Sequence, residues 1–166
     1  MKISAIVFAA AAASGVVADF WISYLQNNVV NGPLIAGNRY AEGAVFVKDP
    51  QFNCDRDAGS HYIWGNTDDV SGDKVGMRTV PGKDVGFPLF RDPLDVVEIN
   101  TGSNQPGHHT IYKDRGYAMV DLAGNKTGQC KLNRNFVINL DCYRGDEHII
   151  MKGSSMFFCQ SDIGLN

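Results

Sequence analysis

The sequence lacks the marks of several large functional classes. Its 15 Lys and Arg are scattered singly against 18 Asp and Glu, giving a net charge of −3 and no basic stripe. Little is therefore present to neutralise a phosphate backbone or an anionic bilayer, and neither nucleic acid nor a membrane surface is an expected partner. No C-x-x-C pair, no G-x-S-x-G elbow, no G-x-G-x-x-G turn and no phosphate loop occurs. The usual signals for a zinc knuckle, a serine hydrolase and a nucleotide site are thus missing. There is no internal repeat and no low-complexity tract. No window carries a long 3.6-residue apolar period bounded by helix caps.

What is present begins with the N-terminus. Met1-Lys2 supplies a short positive start, and Ile3 to Val17 is an almost unbroken apolar run. Val16 and Ala18 are the modest and small residues expected at −3 and −1 of a signal-peptidase site. The run is short for a membrane span and no stop-transfer pattern follows it. We expect a signal peptide over 1–18 and a single secreted domain over 19–166, extracellular, without membrane insertion. Loss of Lys2 leaves that domain one charge more negative than the whole chain.

Four cysteines follow: Cys54, Cys130, Cys142 and Cys159. An even count after a signal peptide reads as two disulfides, with three pairings open. Proximity in sequence, around an apolar strand, favours Cys130–Cys142 and leaves Cys54–Cys159. Oxidised cysteines are removed as nucleophiles. Asn125-Lys126-Thr127 is an N-glycosylation sequon in a turn between expected strands.

The body of the chain is a series of short runs of four to seven residues separated by Gly, Asn and Asp. FWISYLQ (20–26), AVFVKD (44–49), SHYIWG (60–65), DVVEIN (95–100), FVINLD (136–141), HIIMKG (148–153) and MFFCQS (156–161) read as strands. HTIYK and YAMVDL read as a pair. The stretch 66–90 reads as long loops with one short strand near 75–80. This punctuation predicts an all-β, single-domain compact barrel or sandwich with long loops and two disulfides.

Candidate chemistry is sparse. Adjacent His108 and His109 on a strand point to opposite faces, so they do not jointly hold one metal. The acidic pairs Asp55/Asp57, Asp68/Asp69 and Asp146/Glu147 sit among turn residues, where Asp bonds local backbone amides. The stretch PGHHTIYKDRGYAM (106–119) reads as a β-hairpin with a charged tip at Lys113-Asp114-Arg115-Gly116. Trp21 and Trp64, with Tyr24, Tyr62 and Tyr143, are the residues available for a flat carbohydrate-binding platform. The same aromatics are also the natural core of a small β-domain. No cofactor and no catalytic residue is expected. The N-terminal histidine of the copper polysaccharide monooxygenases is absent, because the expected new terminus is Asp19-Phe20-Trp21.

FWISYL, DVSGDKVGMR, DPLDVVEIN, YKDRGYAMVD, GQC and GSSMFFCQSDI occur in order along the expected secreted domain. Together they resemble the small secreted cysteine-rich elicitor proteins of filamentous fungi, of the hypersensitive-response-inducing type. The resemblance implies a disulfide-held β-barrel-like domain, sometimes a homodimer, that plants perceive outside the cell. It implies a structural disulfide role for Cys130 and Cys159 and no catalytic mechanism. The segment around Cys142 matches less, so its partner stays open. The expected function is a non-enzymatic effector or elicitor whose partner is a plant surface receptor or apoplastic protein. The alternative is a cell-wall carbohydrate-binding module using Trp21 and Trp64.

Overall fold

A computed structural model describes residues 18–31, 39–57, 63–80, 94–163 and 165. The expected signal peptide lies outside these residues except for Ala18, as do His61 and Tyr62. Ten strands carry the architecture: β1 (Ala18–Asn31), β2 (Arg39–Val47), β3 (Trp64–Gly65), β4 (Gly76–Val80), β5 (Val96–Asn100), β6 (His108–Tyr112), β7 (Ala118–Asp121), β8 (Lys126–Leu132), β9 (Val137–Arg144) and β10 (Glu147–Ser161). A one-turn helix, α1 (Cys54–Asp57), follows β2. The chain is nearly all-β and its sheet is a nearly closed barrel, as the strand punctuation predicts.

The sheet runs β3-β2-β1-β10-β8-β7-β6-β5-β4, and every strand pair in it is antiparallel. The ends approach each other through a parallel bridge between Asn66 and Met77, where the Thr67 amide donates to the Met77 carbonyl at 2.8 Å. Alternate residues of each strand point inward. Phe20, Ile22 and Tyr24 of β1, Met77 of β4, Val97 and Ile99 of β5, Ile111 of β6, Met119 of β7 and Phe157 of β10 fill the interior. Each such side chain contributes about 1.5–3 kcal/mol by leaving water. Among the described residues these side chains form one packed cluster inside the barrel.

A second apolar cluster lies on the other face of β1, β2 and β10. Leu25, Val29, Val45, Val47, Ile149 and Met151 form it with Ile138 and Cys142 of β9. A shift of register between Ile22 and Ser23 sets the two clusters apart. The extra residue, Met156, joins Phe157 in the barrel core. The α1 segment caps this outer cluster with Phe52. Its turn is closed reciprocally: the Arg56 amide donates to the Asn53 side chain at 3.0 Å, and the Asn53 amide to buried Asp57 at 2.7 Å.

The disulfides are Cys54–Cys142 and Cys130–Cys159, which corrects the pairing favoured by sequence proximity. The reason is the length of β10. It pairs with β9 along its first half and with β8 along its second, placing Cys142 opposite Ile149 and Cys130 opposite Cys159. Ten residues of extended strand separate those positions, roughly 33 Å. Cys130 therefore cannot reach Cys142, whereas it faces Cys159 across the ladder with a Cα–Cα distance of 4.0 Å. Cys54 instead ties α1 to β9.

HIIMKG and MFFCQS are one strand rather than two. Gly153 between them is not a turn residue but a close approach: a Cβ there would stand 2.1 Å from the Tyr24 carbonyl oxygen. Gly43 acts likewise within β2, where a Cβ would meet the Trp64 carbonyl at 1.9 Å. That strand accordingly starts at Arg39, not at Ala44.

Candidate recognition surfaces

The described interior is filled by the side chains of the core cluster. Two surface features stand out among the described residues. The first is the tip of the β6–β7 hairpin, whose strands match the sequence reading closely. Lys113–Arg115 forms a single 3-10 turn, and Gly116 closes it in the left-handed region at φ 62°. Tyr117 follows at φ 65°, a conformation that costs a non-glycine residue about 1–2 kcal/mol. The surroundings hold it there. The Tyr117 ring packs 5.5 Å from Phe157, and the Gln129 amide donates to the Gly116 carbonyl at 2.6 Å. The Arg115 guanidinium lies 4.3 Å over the Tyr112 ring, and Lys113 pairs with Asp95 at 2.8 Å. Lys113, Asp114 and Arg115 are all exposed. The result is a charged tip held in one shape beside a depression of about 500 Å³ lined by Asp95, Val96, Tyr112, Lys113 and Asp114.

The two adjacent histidines do face opposite ways. His108 points outward and contacts Glu98 at 3.1 Å, while Glu98 also binds Arg78 at 2.9 Å. His109 is buried beside the barrel core, opposite Asp121. Burial depresses its pKa, against the pull of Asp121.

The second surface is the polar face of the sheet where β2, β1, β10 and β9 extend past the barrel. Ladder register aligns its side chains in rows: Glu42, Gln26, Lys152 and Asn139; then Tyr40, Asn28, Ile150 and Asp141; then Val30, His148 and Tyr143. Tyr24 and Tyr40 both donate to the Glu42 carboxylate, the latter at 2.5 Å. Burial pushes the Glu42 carboxyl up, but these bonds and one from Gln26 outweigh it and leave the pKa below the ordinary range. The bond to Glu42, with some burial, pushes the Tyr40 phenol up to about 12. At the far edge, Tyr143 stacks flat on His148, with centroids 4.5 Å apart and planes 2° from parallel. His148 is pinned in turn by Asp141 at 2.7 Å. Tyr40 and Tyr143 remain 62% and 78% exposed.

The tryptophans proposed from sequence do not form a platform. Trp64 is buried in the barrel core. Trp21 packs on the outer cluster, edge-on to Phe136 at 4.8 Å and tilted against Phe158 at 4.9 Å. Both were candidates because indoles suit sugars and cores alike, and only burial separates the two roles. Sequence reasoning named Tyr143 and missed Tyr40. The signal for Tyr40 was its alternation with Glu42 on a strand running through Gly43.

The acidic pairs also disperse. Asp57 is engaged by Arg56, Asp69 by Lys74, and Glu147 by Arg39. Among the described residues, no three metal-ligating side chains converge. Asn125 is exposed in the β7–β8 turn, its side chain donating to Asp121 at 3.1 Å. Among the described residues, no helix is long and apolar enough to cross a membrane. No protein-family model, curated protein or solved structure matches the chain.

Proposed function

We propose that the protein is a secreted, non-enzymatic fungal effector that plants perceive outside the cell, through a surface receptor or an apoplastic protein, and that the β6–β7 tip is the surface read. The observation that carries the reading is the tip itself: exposed charges on a backbone locked by Tyr117, Gln129 and Asp95. A pre-shaped epitope loses little entropy on binding. The resemblance of YKDRGYAMVD to fungal elicitors falls on this same hairpin. Two disulfides suit an oxidising extracellular compartment. The sequon at Asn125 lies at the other end of β7 from the tip.

Infiltration of the purified, disulfide-bonded protein into leaves tests the reading. The wild type is expected to raise a defence response. Lys113→Ala/Arg115→Ala, with an unchanged melting temperature, is expected to raise much less. A wild type that elicits nothing sinks the effector reading, and an equally active double variant sinks the assignment of the tip.

A further inference from the structure

The β9–β10 hairpin turns on a charged tripeptide, Arg144-Gly145-Asp146. Arg144 ends β9, Glu147 begins β10, and only Gly145 and Asp146 lie between them. Gly145 sits in the left-handed region at φ 60° and Asp146 does not. Those are the φ signs of a II′ hairpin turn, which takes glycine at its first central position. Arg144, Gly145 and Asp146 are all exposed. A Cβ on Gly145 would meet nothing within 4 Å among the described residues, so the apex of the turn stands clear of its neighbours.

The base of the turn is braced. The β9–β10 ladder runs without a break from Glu147 opposite Arg144 to Ser154 opposite Val137, and β1 pairs with the other edge of β10 as far as Asn31 opposite Glu147. Arg39 holds the Glu147 carboxylate at 2.6 Å, and Tyr143 is stacked on His148. The tripeptide is therefore presented in one shape, and little entropy is lost when a partner takes it.

Glycine is explained by the turn, but the aspartate is not. Asp49, Asp69 and Asp121 each accept a backbone amide of their own loop, from Gln51 at 2.9 Å, Ser71 at 2.8 Å and Asn125 at 2.8 Å. That is the ordinary structural use of a turn aspartate. Among the described residues no hydrogen bond or ion pair engages the Asp146 carboxylate. The turn thus offers a planar guanidinium on one side of a glycine and an unengaged carboxylate on the other. A guanidinium is matched bidentately by a partner's carboxylate. A lone carboxylate on a short side chain is a hard oxygen ligand that completes the shell of a divalent cation. Adhesion receptors that bind through a divalent cation of their own read Arg-Gly-Asp on exposed turns in this way.

We propose that the β9–β10 turn docks to a cell-surface receptor of that metal-dependent type, with Arg144 entering a carboxylate-lined slot and Asp146 ligating the receptor's cation. The contact is separate from the β6–β7 tip and does not depend on it.

Binding of the purified, disulfide-bonded protein to the immobilised ectodomain of an Arg-Gly-Asp-binding integrin, in magnesium, tests this. The wild type binds saturably, EDTA abolishes binding, and the peptide Gly-Arg-Gly-Asp-Ser competes where Gly-Arg-Gly-Glu-Ser does not. Asp146→Glu, which keeps the charge at an exposed position, weakens binding by at least about tenfold with an unchanged melting temperature. Arg144→Ala weakens it as well. Lys113→Ala/Arg115→Ala binds as the wild type does, so failure here and failure of the tip reading are distinguishable. No saturable binding in magnesium, binding that persists in EDTA, or wild-type affinity in Asp146→Glu overturns the proposal.

Discussion

Replacing Cys54 and Cys142 together by alanine gives a sharp test of the architecture. Their bridge spans 88 residues, against 29 for Cys130–Cys159. The chain-entropy model then assigns about 4.6 kcal/mol to the longer loop and about 3.6 kcal/mol to the shorter. Cys54 is exposed, but Cys142 is buried in the outer cluster, so its truncation adds a packing loss to the loop term. A loss near 4.6 kcal/mol is about 30% or more of the stability of an ordinary domain, roughly 5–15 kcal/mol. It is read from guanidinium unfolding, with thiols counted under denaturing conditions. Cys54→Ala/Cys142→Ala should contain no free thiol, because the remaining two are bonded to each other. Cys130→Ala/Cys142→Ala should contain two, since Cys54 and Cys159 lie on different elements and each loses its partner. The reverse thiol counts would refute the register of β10 against β8 and β9, and with it the layout of the barrel.

Other outcomes follow from burial. Trp64→Ala should cost about 3–5 kcal/mol in urea unfolding, whereas Tyr143→Ala should stay within about 0.5 kcal/mol. Equal effects would place Trp64 on the surface. Acid should weaken the fold through His109. Burial holds its folded pKa below the unfolded value, so the unfolded chain takes up the proton more readily. Stability from this group is full above the unfolded value of about 6.5 and falls as pH drops below it. His109→Gln should flatten that part of the profile, and an unchanged slope would show that other groups produce it.

Much of the fold is legible in the sequence because alternation and turn chemistry are local. The hairpin over 106–122 is the clearest case: Gly116 closes the turn, the two strands flank it, and the adjacent histidines part to opposite faces. The strand near 75–80 is equally local. What escaped was long-range. Gly43 and Gly153 look like punctuation, yet each marks a backbone crowding against a neighbouring strand that is distant in sequence. Reading them as turns splits β10 and shortens β2. Once β10 is split, nothing separates Cys130 from Cys142, and the pairing goes wrong. The tryptophans fail for a related reason: which face of a short strand meets the core depends on strands elsewhere in the chain. The polar face with Tyr40 and Glu42 exists only once β2, β1, β10 and β9 lie side by side, so no single segment could announce it.

Competition binding at the plant surface tests the central claim most directly. Labelled protein is bound to a leaf membrane fraction, and unlabelled wild type or Lys113→Ala/Arg115→Ala is added in excess. The wild type should displace the label and the double variant should not, although the variant keeps its fold. Displacement by the variant as effective as by the wild type, or no saturable binding at all, would contradict recognition through the β6–β7 tip.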